Sequence, residues 1–263
     1  MSTESIQAID VHAHLGDYDY GNAQVRQFMT GHADRVVHLA AKARTQWTVV
    51  SHMKAFFPEV GYDVVAGNDE VLQAIAGNDR LRCWAVLDPK DAKNFTQVEE
   101  MLRHSQCAGV KVHPELHKYY IADYGRAIFS FAAKHSAVVQ SHSGEQHSLP
   151  MDFVRFADTF PEVNLIISHL GCGWDGDLSH QVRAIAASEH DNIYTDTSSA
   201  KSITPCLLEW AVGEVGAEHI LYGTDSPLYF APMQRARVDN ADISDEAKRL
   251  ILRENAERLL NIG

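Results

Sequence analysis

Eight short apolar runs stand at nearly even intervals along the chain, and four of them end in histidine or aspartate: Asp10-Val11-His12-Ala13-His14, Gln140-Ser141-His142, Ile167-Ser168-His169 and Gly223-Thr224-Asp225. Groups so far apart in sequence meet only if the fold gathers the C-terminal ends of distant strands, as a parallel (β/α)8 barrel does. The runs predict strands over residues 6–12, 47–51, 82–87, 109–113, 138–142, 164–169, 192–196 and 220–224. Short length and Val/Ile content favour strand over helix. Helical spacing fills the gaps, as in Ala33, Val37, Ala40 and Ala41. Asn68 is the expected N-cap of one helix and Ser244 of the last, which should bury Leu250, Ile251, Leu259 and Leu260. Pro150 and Pro205 suit first helical turns. Eight strand and helix alternations imply right-handed parallel crossovers, and 263 residues match the ~250 of one barrel. The expectation is a single α/β domain, a (β/α)8 TIM barrel over 1–263, with residues 15–30 and 226–242 as irregular loops at its catalytic face.

Composition narrows the partners. The 35 acidic and 23 basic residues leave a net charge of −12, which repels phosphate backbones and anionic membrane surfaces. No run is apolar over the ~18 residues of a membrane span, and Met1-Ser2-Thr3-Glu4 does not read as a signal peptide, so a soluble, cytoplasmic protein is expected. Cys83, Cys107, Cys172 and Cys206 lack metal or redox spacing and read as reduced thiols. Fifteen histidines invite a search for imidazole chemistry.

Residues two apart in a strand face one way, so His12 and His14 both turn inward at the end of the first strand. His142 and Asp225 would add a third nitrogen and a carboxylate. This set suits a divalent ion, Zn²⁺ first and Mn²⁺ or Fe²⁺ as alternatives, with a position left for water or substrate. His169 is placed to orient water, to donate a hydrogen bond to a developing oxyanion, or to bind a second metal. Lys111 and His113, again two apart, are candidates to bind substrate, with Lys111 also suited to bridge two ions as a carbamate. Glu145 and His117 are loop residues within reach of substrate, and Trp174 and Tyr229 are candidate pocket walls. A rival signal is Gly171-Cys172-Gly173-Trp174-Asp175-Gly176, which spells G-x-G-x-x-G after a strand, with Asp196 at about the ~20-residue interval of a dinucleotide fingerprint. That reading leaves the strand-end His and Asp residues without a role.

The stretches Asp10 to His14, Gly109-Val110-Lys111-Val112-His113-Pro114, His142-Ser143-Gly144, Ser168-His169-Leu170-Gly171, Gly223-Thr224-Asp225-Ser226-Pro227 and Asn255-Ala256-Glu257-Arg258-Leu259-Leu260, in this order, resemble the amidohydrolase superfamily. They are most similar to its amidohydrolase-related branch, which includes aminocarboxymuconate semialdehyde decarboxylase and lactone hydrolases. The resemblance implies a metal-binding barrel with ligands His12, His14, His142 and Asp225, His169 catalytic beside them, and Asp225 also accepting a proton from activated water. It also points to Lys111 as the position of the carbamylated lysine found in some members. The activity expected is metal-dependent hydrolysis of a small carboxylated lactone or amide. The alternative is non-oxidative decarboxylation of an aromatic or unsaturated acid, and a barrel that binds without turnover is a third reading. The partner is a small molecule, and assembly into a homo-oligomer is left open.

Overall fold

The computed structural model describes residues 5–18, 20–56 and 63–262, so Met1 to Glu4 lie outside the described residues. Eight strands form one parallel sheet in sequence order: β1 (Ala8–Leu15), β2 (Thr45–His52), β3 (Leu81–Val86), β4 (Cys107–Val112), β5 (Val139–Ser141), β6 (Leu165–Ile167), β7 (Ile193–Asp196) and β8 (Ile220–Leu221). The ring closes where β8 meets β1. Val11 N donates to Tyr222 O at 3.0 Å, Asp225 N donates to His12 O at 2.7 Å, and Ala13 and Ser226 form a parallel bridge. Asp10 fastens this seam: its carboxylate accepts from His12 N, Thr224 N and Thr224 Oγ1 at 3.1, 3.0 and 2.6 Å. The (β/α)8 barrel expected from the spacing is the fold observed.

Around the sheet run α1 (Ala23–Met29), α2 (Ala33–Lys42), α3 (Val64–Ile75), α4 (Ala92–Met101), α5 (Pro114–His117), α6 (Ile121–His135), α7 (Pro150–Thr159), α8 (His180–Ala187), α9 (Leu207–Val215), α10 (Ala231–Asp239), α11 (Asp245–Arg249) and, after a π turn over Leu250–Glu254, α12 (Asn255–Leu260). Pro150 and Ser244 act as expected, in the first turn of α7 and as the cap accepting from Ala247 N. Pro205 does not enter a helix, because α9 starts at Leu207 behind Cys206. Asn68 is no cap either. Asp63 caps α3, and Asn68 sits buried inside the helix, where its amide meets both Val86 N and Val86 O.

The two stretches expected to be irregular hold helices. Asn22 caps α1 through Gln24 N and Val25 N, yet α1 buries no residue and so shows no apolar stripe. In α10 the buried face includes Gln234 and Arg235, the latter donating to Ile6 O and Ala43 O and paired with Asp239. A polar buried face leaves no hydrophobic period to read.

Strand alternation stacks the lumen in layers. The lowest is apolar, with Val11, Val49, Trp84, Val138, Ile166 and Leu221 packed against Leu259 and Leu260 of α12. Trp84 is fully buried, and its Nε1 donates to Val11 O at 2.8 Å. Two residues further along their strands, Lys111, Gln140 and Asp196 replace apolar groups, and two further still come His113, His142, Ser198 and Asp225. β1 reaches the same levels by a different route. Between Asp10 and Ala13 it advances three residues while β2 advances two from Thr48 to Val50. This bulge turns both Val11 and His12 inward.

Replacing Asp10 by Ala strands three donors in the seam and should lower stability by roughly 3 kcal/mol, at 1–3 kcal/mol per orphaned group, in urea unfolding. A second prediction concerns Glu209, which binds Arg237 through both oxygens and accepts from Asp242 N. The Arg237 hydrogen bonds hold the carboxyl down at about 2. Its stabilising effect is therefore complete above the ordinary carboxyl value and fades as pH falls toward about 2. The Tm gap between wild type and Glu209→Gln should be full at pH 6 and shrink steadily on acidification.

Candidate metal centre

Above the apolar floor, His12, Lys111, Gln140 and Asp196 form a connected polar layer. Asp196 Oδ2 lies 3.0 Å from His12 Nδ1, Lys111 Nζ lies 3.0 Å from His12 Nε2 and donates to Gln140 Oε1 at 3.1 Å, and Gln140 Nε2 donates to Asp196 Oδ2 at 3.3 Å and to Val11 O at 3.0 Å. All four are essentially sealed from solvent. Burial pushes His12 down to about 4 and Lys111 down to about 8. For Asp196 burial acts upward, but His12, His169 and Ser198 outweigh it and keep the carboxyl ionised.

His14 sits one level higher, where Ser51 Oγ, 3.0 Å from Nδ1, steadies the ring. Its Nε2 lies 2.9 Å from Asp225 Oδ1, and His12 Nε2 lies 3.6 Å from the same oxygen. The ligand atoms of His12, His14 and Asp225 all lie within 4.8 Å of one another. Asp225 Oδ1 is buried and accepts no hydrogen bond, despite its neighbours. A buried carboxylate oxygen that lies close to two imidazole nitrogens but is aligned for a hydrogen bond with neither fits a divalent cation bound at ~2 Å to each. Burial would raise the Asp225 carboxyl, but His14, His12 and His169 hold it below the ordinary range.

His142 lies outside this triad. Its Nδ1 is 3.0 Å from His169 Nε2, its Nε2 is 3.0 Å from Glu145 Oε2, and its ring stacks on His113 at 4.2 Å. Glu145, expected to meet substrate, thus engages His142. His169 and Asp225 both adopt left-handed backbone, φ 75° and 55°, uncommon for non-glycine residues. At His169 this turn redirects the side chain into the mouth, where its ring lies 4.8 Å from that of His12. Burial, then His12 and His142, push His169 well below the usual imidazole range.

His113 caps α5: its Nδ1 accepts from Leu116 N at 3.2 Å, which places the proton of the neutral ring on Nε2. With His14, Tyr18, Met53, Phe56, Leu116 and Leu228 it lines a recess of about 60 Å³ beside the triad. His117 does not reach the recess; it is buried, with Nε2 2.8 Å from Ala55 O. Trp174 and Tyr229 stand exposed on the rim. The glycine-rich stretch after β6 opens no helix, since α8 begins only at His180, so the dinucleotide reading fails. Instead Trp174 N donates to Gly144 O at 2.8 Å, tying this loop to the one after β5.

Sequence reasoning missed Asp196, Gln140 and Ser198 as members of the site. Each lies two residues from another lumen position, and Asp196 ends an expected strand, so the period-two rule that selected His12 and His14 reaches them as well.

The chain matches the amidohydrolase family over residues 9–262. No curated protein sequence matches significantly. Among solved structures it is similar to 2,6-dihydroxybenzoate decarboxylase from Rhizobium, with TM-score 0.77, 15% identity, and 99% of each chain covered. It is similar to 5-carboxyvanillate decarboxylase from Sphingomonas paucimobilis, with TM-score 0.75, 14% identity, and 98% and 100% covered. It is also similar to a dihydroxybenzoic acid decarboxylase from Polaromonas sp. JS666, with TM-score 0.77, 15% identity, and 99% and 97% covered, a structure that holds manganese and the inhibitor 2-nitroresorcinol.

Titration calorimetry of metal-stripped protein with Mn²⁺ or Zn²⁺ should give one strong binding event. Asp225→Asn should weaken it at least 100-fold, and Asp196→Asn, which disturbs the support of His12 and the backbone of His169 without removing a ligand of the triad, about 10- to 100-fold.

Proposed function

Because the chain belongs to the amidohydrolase family, we propose that it is a metal-dependent enzyme acting on a small carboxylic acid, and that non-oxidative decarboxylation of a planar, unsaturated acid is its reaction. The observation that carries this reading is the buried oxygen of Asp225 between His12 and His14, at the edge of a small recess walled by Phe56, Met53 and Leu228. Similarity to decarboxylases of hydroxylated benzoates supports it. His12, His14 and Asp225, with His142 as the remaining imidazole, would hold a divalent ion, Mn²⁺ or Zn²⁺. Such an ion would bind the substrate's oxygens and draw off the charge that builds as the carbon–carbon bond breaks.

The chain's own groups do the rest. The apolar walls of the recess, Phe56, Met53, Leu116 and Leu228, suit an unsaturated substrate better than a polar one. The proton on His113 Nε2 is available to a substrate oxygen, and the Lys111 ammonium sets a positive field beneath a carboxylate. Loss of CO₂ leaves an electron pair on carbon, which takes one proton from the site, so the acid RCOO⁻ plus H⁺ yields RH and CO₂.

Hydrolysis, the first expectation from the sequence, is the second reading, and the ionised Asp225 carboxylate favours it as an acceptor for a proton from water. One assay separates the two: metal-loaded protein is offered hydroxybenzoates, unsaturated acids and small lactones, and CO₂ and acid release are both measured. CO₂ from an unsaturated acid, reduced at least 100-fold in Asp225→Asn, is expected. Acid release from lactones without CO₂ would replace decarboxylation by hydrolysis, and silence toward every class would defeat both.

A further inference from the structure

Behind the ligand triad, hydrogens can be counted atom by atom. The Asp196 carboxylate only accepts: Oδ1 takes the N–H of His169 at 3.0 Å, the N–H of Ser198 at 3.1 Å and the Ser198 hydroxyl. That consumes the one proton Ser198 has to give. The Oγ lone pairs that remain face His12 Nδ1 at 3.0 Å and His169 Nδ1 at 2.8 Å. A lone pair set against a lone pair repels, so both ring nitrogens carry hydrogen. His12 is checked from its other side. Lys111 Nζ has no acceptor capacity and lies 3.0 Å from His12 Nε2, so that nitrogen offers a lone pair. His12, His169 and Asp196 also form a second close group of metal-type atoms, but the Ser198 hydroxyl joins its members by hydrogen bonds.

We infer that Ser198 is a positioning residue that fixes His12 and His169 as their Nδ1–H tautomers, so that both Nε2 lone pairs face the barrel mouth. His169 then works at the mouth as a lone-pair donor, toward a cation or a proton, rather than as the hydrogen-bond donor to an oxyanion that its strand-end position first suggests. With its hydrogen on Nδ1, His169 accepts at Nε2 from His142 Nδ1 at 3.0 Å, and His142, whose Nε2 meets the Glu145 carboxylate at 3.0 Å, carries a hydrogen on each nitrogen; only the use of these tautomers toward a metal rests on the function proposed above.

Nitrogen-15 NMR of metal-stripped protein labelled in its histidine rings tests this without any substrate, with His169→Gln identifying the His169 signals. Wild type should show Nδ1–H for both rings. In Ser198→Ala, His169 should change to Nε2–H while His12, still held by Asp196, should not, and Ser198→Thr should keep the wild-type pattern. Zn²⁺ affinity should fall about 10-fold in Ser198→Ala and recover in Ser198→Thr. Nε2–H on His169 in wild type, a readout that needs no variant to fold, or an unchanged pattern in Ser198→Ala, would overturn the assignment. The expected tautomers in a protein that takes up no Zn²⁺ would defeat the metal reading and leave this one standing.

Discussion

Everything at the barrel mouth depends on the closure of β8 against β1. The two strands come from opposite ends of the chain, and the candidate ligands are split between β1, which carries His12 and His14, and the stretch just after β8, which carries Asp225. Asp10 makes the joint specific. Its carboxylate holds a backbone donor from each side and the Thr224 hydroxyl, and Asp225 N reaches His12 O directly. The carboxylate and the imidazoles therefore sit at the same height because the backbone beneath them is shared. Long side chains reaching across a gap would lose that alignment to rotamer freedom.

Ionised groups in a sealed interior are costly unless paired. The middle layer solves this locally. Lys111 and Asp196 bracket His12, one on each ring nitrogen, and Gln140 bonds to both. Their opposite charges offset each other, which leaves Asp225 as the unsatisfied anion one level above. A cation drawn to the mouth meets that oxygen and two imidazole nitrogens, with Lys111 setting a limit on how deep positive charge can settle. The same arrangement accounts for the ring orientations: Asp196 behind His12 and Ser51 behind His14 turn both Nε2 atoms toward Asp225.

Much of this was legible in the residues. Even spacing of apolar runs carried the barrel, and the strand-end His and Asp residues marked its active face, because each run's C-terminal end maps to the mouth. What escaped has a common cause. Gln140 and Ser198 look like ordinary polar residues, and Asp196 like part of a dinucleotide fingerprint, until the stacking of lumen levels shows what faces them. The helices α1 and α10 lack an apolar stripe, one because it is exposed throughout and the other because it buries a guanidinium and an amide. His142 was legible as a strand-end residue, whereas its pairing with His169 depends on a left-handed turn at His169 that no periodicity announces.

The extra residue in β1 bears on how this barrel tolerates change in length. Below the bulge Ile9 and Val11 fill the floor, and above it His12 and His14 line the mouth, so one strand serves an oily and a polar storey with opposite parity. Deleting a single residue there would leave a strand of perfectly good alternation, still able to pair with both neighbours. Its histidines, however, would point into the surrounding helices, and the molecule would remain a barrel while ceasing to have a centre.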